Sequence, residues 1–141
     1  MDCKDLRDSP SFQQDAELQH HVPVLVLVSD LMFVSKISAA AHQAGCPVQF
    51  FRESAKLRSA VPPEACIVIV DMNEKNLDPV ALIAALKATP ETRHAQVIAY
   101  LSHVQHDLKR EAEKAGADLV LPRSTFSQNL YDLLRQRSCH L

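Results

Sequence analysis

The feature that most constrains this chain is the regular return of short apolar runs, each followed by a stretch patterned for a helix. The runs are VPVLVLV (22–28), PVQFF (47–51), CIVIVD (66–71), QVIAYL (96–101) and DLVLP (118–122). Apolar runs this short and continuous are expected of strands covered on both faces. Between them, apolar residues recur three or four positions apart. Val34, Ile37, Ala41 and Ala44 mark a first helix, ESAKLRSAV a short second, and PVALIAALKAT a third. Val104, Leu108, Ala112 and Ala115 mark the fourth, and Phe126, Leu130, Leu133 and Leu134 the fifth. Strand–helix units repeated in this way predict an α/β chain, a doubly wound (βα)5 fold. Right-handed crossovers then place helices on both faces of a parallel sheet.

Turn chemistry supports these boundaries. The chain has only two glycines, Gly45 and Gly116, and both fall where a helix has to end. Asp78-Pro79 reads as an N-cap followed by proline at the first helical position. Thr125 with Gln128 resembles a capping box, which predicts the start of the fifth helix there. Pro122 lies inside the fifth apolar run, a place proline tolerates only if that strand is at the sheet edge. Residues 1–21 are polar and aperiodic and are expected to form a flexible N-terminal tail, with one domain over 22–137 and a C-terminal tail at 138–141. At 141 residues the chain is large enough to bury a real core.

Charge and composition exclude several function classes. A formal net charge of −2 gives no electrostatic case for nucleic acid or an anionic membrane. No apolar run is long enough to span a bilayer, and no secretory signal is visible, so a cytoplasmic protein is expected. Cys3, Cys46, Cys66 and Cys139 show no metal-like or CxxC spacing and are read as free thiols. His94, His103 and His106 lack a cysteine or acid frame and are read as surface histidines, the last two placed for partner contact. There is no glycine-rich phosphate loop, no Ser-His-Asp order and no cysteine-based site, and an enzyme is not expected.

In parallel sheets, ligands gather at the carboxyl ends of the strands. The residues there are Ser29 and Asp30, Asp71, Leu101 and Ser102, and Arg123. Two carboxylates and a cation are thereby predicted to meet on one rim. Taken singly, Asp71 is an ordinary strand-ending turn residue and Asp30 an ordinary helix cap. Their convergence favours a site.

LVSDLMF, IVIVDMN, QVIAYLSHV and AGADLVLPRS, in this order over residues 22–137, make the chain resemble the receiver domain of two-component response regulators. The resemblance implies a flavodoxin-like sheet of order 2-1-3-4-5 and a phosphoacceptor role for Asp71. It also implies a Mg²⁺ ion held by Asp30, Asp71 and the backbone carbonyl of Asn73. Partners would be a histidine kinase or a downstream signalling protein, with homodimerisation through the face of the fourth helix, fifth strand and fifth helix. The chemistry is intelligible: a carboxylate attacks a phosphoryl group to form an acyl phosphate, and a metal and a cation offset the charge that accumulates.

The departures from that pattern matter as much. Receivers usually carry two adjacent acids after the first strand, whereas this chain has Ser29-Asp30. One lost charge pair at ~4 Å is worth about 4 kcal/mol at an effective dielectric near 20, before screening, so Mg²⁺ is expected to bind weakly. The hydroxyl that usually ends the fourth strand aligns with Leu101. Ser102, its neighbour, points to the opposite face and would substitute only through a slip or bulge. Arg123-Ser124 stands where Lys-Pro is usual, and Val120 replaces the aromatic that couples to the hydroxyl. The expected function is therefore a degenerate, stand-alone receiver acting through protein–protein interaction. The alternatives are a conventional phosphoacceptor modified on Asp71 with Mg²⁺, and a flavodoxin-like domain that binds a small ligand.

Overall fold

The structure is a computed structural model and describes residues 22–74, 77–102 and 105–138. Cys3, His103, Val104, Cys139 and the expected N-terminal tail lie outside the described residues. The elements are β1 (Val24–Leu27), α1 (Leu31–Ala44), β2 (Val48–Phe51), α2 (Ser54–Ala60), β3 (Ile67–Asp71), α3 (Pro79–Ala88), β4 (Gln96–Leu101), α4 (His106–Ala115), β5 (Leu119–Pro122) and α5 (Arg123–Ser138). All strand pairs are parallel, in the order β2-β1-β3-β4-β5. The doubly wound fold and the strand order are those expected.

Alternation along each strand builds two cores. Val24 and Val26 of β1, Ile67 and Ile69 of β3, and Ile98 and Tyr100 of β4 face α1 and α5. Leu25 and Leu27, Val68 and Val70, and Val97, Ala99 and Leu101 face α2, α3 and α4. Both faces are covered, which is why these strands read as continuous apolar runs. Full burial of one such aliphatic side chain stabilises by about 1.5–3 kcal/mol. Leu82, Ile83 and Leu86 of α3 and Phe126, Leu130 and Leu134 of α5 complete the two layers.

The caps follow the sequence closely. Gly45 and Gly116 both adopt left-handed φ, 76° and 117°, and return N–H groups to the last turns of α1 and α4. Asp78 caps α3, with Pro79 at its start. The start of α5 differs from expectation. Pro122 leads straight into the helix at Arg123, so Thr125 lies inside the first turn rather than at a cap. Proline without an N–H, with φ already near −65°, makes an abrupt strand-to-helix passage inexpensive. Pro122 ends β5, and β5 is indeed an edge strand.

Below the sheet, at the amino ends of the strands, Lys87 ties three segments together. Its Nζ donates to the Ala95 carbonyl at 2.6 Å, the Arg93 carbonyl at 3.3 Å and Asp118 Oδ2 at 3.0 Å. Asp118 Oδ2 also accepts from the Val97 N–H at 2.7 Å, linking β4 to the start of β5. Above the sheet an aromatic column fills the space under α1 and α5. Tyr100 stacks on Phe126 at 4.5 Å and on Phe33 at 4.9 Å between ring centroids.

Candidate functional site

Asp71 ends β3, opposite Tyr100 of β4, and is 2% exposed. A carboxylate occurs there because the strand stops at that residue and the chain turns. Its Oδ1 accepts the Asn73 N–H at 2.9 Å, and the Glu74 N–H bonds its own carbonyl at 3.2 Å. Burial pushes the Asp71 carboxyl above its ordinary range. The Asn73 N–H and the charge of Arg123 work against that rise, while Glu74 and Asp30 add to it. Asp71 is thus an acid held out of water, with one oxygen committed to the backbone.

The other predicted residues surround it in particular ways. Asp30 is exposed and caps α1, its Oδ1 accepting the Met32 N–H at 2.9 Å. Asn73 offers its side chain rather than only its backbone: Oδ1 accepts the Ser102 N–H at 2.7 Å and Nδ2 donates to Gln105 Oε1 at 3.0 Å. The Ser102 hydroxyl donates to the same Gln105 oxygen at 3.3 Å. A polar clasp therefore joins the loops after β3 and β4. Arg123, first residue of α5, lies with its guanidinium carbon 5.4 Å from the Phe33 ring centroid, and its Nε is buried without a hydrogen-bond partner. Among the described residues it makes no ion pair with Asp71.

Two participants escaped sequence reasoning. Glu74 brings a third acid to the rim, its Oε2 accepting the Ser29 hydroxyl at 2.6 Å. The serine that stands where an acid is usual is thus met by an acid from another loop, 45 residues away. No periodicity signals such a loop-to-loop contact. Tyr100 is the second. Its hydroxyl is buried without a partner, and burial, aided by the charge of Asp71, holds it neutral well beyond the usual phenol range.

Carboxylates and a backbone carbonyl are the hard oxygen donors that Mg²⁺ takes, so the chemistry of this rim fits the ion. The acids do not, however, converge tightly. Among the described residues no three His, Cys, Asp or Glu side chains form a group that could hold a metal. His94 instead contacts the Pro62 carbonyl at 2.8 Å, and His106 is exposed at the start of α4. Cys46 and Cys66 are both buried, and burial raises the Cys66 thiol to about 11.

Many solved structures share this arrangement of strands and helices. A response regulator receiver domain from Rhodospirillum rubrum superposes with a TM-score of 0.68 at 16% identity, covering 84% of this chain and 92% of its own. A response regulator from Thermotoga maritima gives 0.65 at 20% identity, with 85% and 99% covered. The chemotaxis protein CheY4 of Vibrio cholerae gives 0.70 at 14%, with 82% and 98% covered. The fold is that of a receiver domain. No family model matches the chain, and no curated protein matches it.

On this receiver frame, Asp71 lies at the carboxyl end of the central strand and Arg123 at the end of the edge strand. Leu101 is 3% exposed and packs in the same core as Val120. Two apolar side chains thus share one buried cluster at the ends of β4 and β5. They also line a cavity of about 250 Å³ between α4 and β5, together with Leu121, Pro122, Lys109 and His106. No helix among the described residues is long and apolar enough to cross a membrane.

Proposed function

We propose that the chain is a degenerate receiver of two-component signalling, working as a protein-interaction module whose output does not need aspartyl phosphorylation. The observation that carries this reading is the burial of Leu101 and Val120 in one apolar cluster. A receiver switch needs a hydroxyl that follows the phosphoryl oxygen and an aromatic that follows the hydroxyl. Here both positions are buried apolar side chains, which offer no hydrogen bond to a phosphoryl group. The clasp of Asn73, Ser102 and Gln105 supports the same reading, because donors beside Asp71 are already engaged. The cavity between α4 and β5 suits a partner's apolar side chain, and this face would serve a second copy or a downstream signalling protein. A reducing cytoplasmic compartment accords with the buried free thiol of Cys66. The role is that of a signalling domain rather than an enzyme.

A second reading, phosphorylation of Asp71 by a histidine kinase, rests on the buried strand-end carboxylate with Arg123 in electrostatic range. The oxygen not held by the Asn73 N–H would attack phosphorus, and the bond from phosphorus to the donor's leaving group would break. Asp30, Asp71 and the Asn73 carbonyl would hold Mg²⁺ weakly, and the ion would neutralise charge on the phosphoryl group. Arg123 would stabilise the remaining oxygens.

Incubation with Mg²⁺ and acetyl phosphate, followed by intact mass against an Asp71→Asn control, separates the two readings. The first expects no adduct. One phosphoryl group gained by the wild type alone would overturn it in favour of the second.

A further inference from the structure

We propose that the groove between the amino-terminal turns of α1 and α5 is a binding site for a small phosphate-bearing molecule, held non-covalently and independently of Asp71. The groove has a volume of about 610 Å³, within the range of small-molecule sites, and no carboxylate among the described residues lines it. Two cations do. The Lys36 ammonium and the Arg123 guanidinium lie 5.5 and 5.4 Å from the centroid of the same buried ring, Phe33. Like charges gathered at one ring repel, and among the described residues neither is neutralised by an ion pair. Lys36 donates only to the Ser127 hydroxyl, at 3.1 Å, and Arg123 Nε has no partner at all.

The remaining lining supplies neutral donors. Ser124, Ser127 and Gln128 follow one another at i, i+3 and i+4 along one face of α5 and all border the groove. The same helix end carries first-turn N–H groups without intrahelical acceptors and the positive pole of a helix of 16 residues. The donor count selects the ligand class. One forked cation, one point cation, three hydroxyls and an amide exceed what the two oxygens of a carboxylate can accept. They match the oxygens of a phosphomonoester. Asp71 is not among the lining residues, although Ser102 of the clasp beside it is.

The test is a titration of the ¹⁵N-labelled full chain with phenyl phosphate, inorganic phosphate and benzoate at low ionic strength. Saturable shifts of the Ser124, Ser127 and Gln128 amides are expected with both phosphates, equally in the wild type and Asp71→Asn, and much more weakly with benzoate. Arg123→Met and Lys36→Met should each raise the dissociation constant roughly tenfold or more, the loss expected of one charge-assisted contact. Lys36 is exposed, so its replacement keeps the test valid even if Arg123→Met fails to fold. Absence of saturable shifts, or shifts unchanged in Lys36→Met, would overturn the proposal. Binding abolished by Asp71→Asn would move the anion to the carboxylate rim, and benzoate binding as tightly as phenyl phosphate would remove the phosphate assignment.

Discussion

Replacing Tyr100 by phenylalanine should make this protein more stable, against the usual direction for a fully buried residue. The ring lies between Phe33 and Phe126 at centroid distances of 4.9 and 4.5 Å, and phenylalanine keeps both contacts. Only the hydroxyl is lost, and that group is buried without a hydrogen-bond partner. An unmet buried hydroxyl costs about 1–3 kcal/mol, so Tyr100→Phe should raise the unfolding free energy by about 1–2 kcal/mol. With an ordinary urea dependence, the midpoint moves up by roughly 0.5–1 M. The assay is equilibrium urea unfolding by far-ultraviolet circular dichroism, with equal slopes required for the comparison. Tyr100→Leu is the control: it removes the hydroxyl and the stack together and should cost about 3 kcal/mol. A Tyr100→Phe variant less stable than wild type by 1 kcal/mol or more would refute the reasoning, since the hydroxyl must then have a partner in solution.

Asp71→Asn tests the same rim through pH. The folded carboxyl titrates above its ordinary value of 3.8, so the native state binds the proton more tightly than the unfolded chain does. Stability from this group is therefore full below about pH 3.8 and falls as pH rises through the raised native value. Asp71→Asn keeps an acceptor for the Asn73 N–H, so it should exceed wild type in stability at neutral pH. The advantage should disappear in acid, as thermal unfolding across a pH series would report; a constant difference at all pH values would contradict it. Lys87→Met strands the Ala95 carbonyl and leaves Asp118 with the Val97 N–H alone, while keeping the aliphatic stem, and should cost about 1.5–3 kcal/mol in urea unfolding. A loss below about 0.5 kcal/mol would reduce the linkage at the amino ends of the strands to an ordinary surface ion pair.

Much of the scaffold was legible because it is written in short-range signals. Period, proline and glycine are local, and they placed the strand runs, the Gly45 and Gly116 caps and the Asp78-Pro79 start. The misjudged boundary, Thr125 for Arg123, came from weighing a capping pattern above a proline that needs no cap. Helical spacing alone marked Val34, but the fold buries Phe33 more deeply, because the aromatic column offers a ring a larger contact than it offers valine. At the rim, strand ends located Asp30, Asp71, Ser102 and Arg123. What each side chain does there depends on loops far apart in sequence. Asp30 turns to its own helix, Asn73 reaches Ser102, and Ser29 meets Glu74. Such pairings are set by how the loops cross once the sheet has formed, and no residue pattern within either loop encodes them.

The edges of the sheet carry a consequence for association. Each edge strand is only four residues long, and β5 closes on Pro122, which has no N–H to give a neighbouring chain. A visiting strand would find a short ladder at β2 and an interrupted one at β5, so growth of the sheet across a molecular boundary is disfavoured on both sides. Recognition is left to the outer surfaces of the helices and the grooves between them. There, affinity depends on side-chain shape and charge rather than on main-chain pairing, and it can be tuned one residue at a time without disturbing the strands beneath.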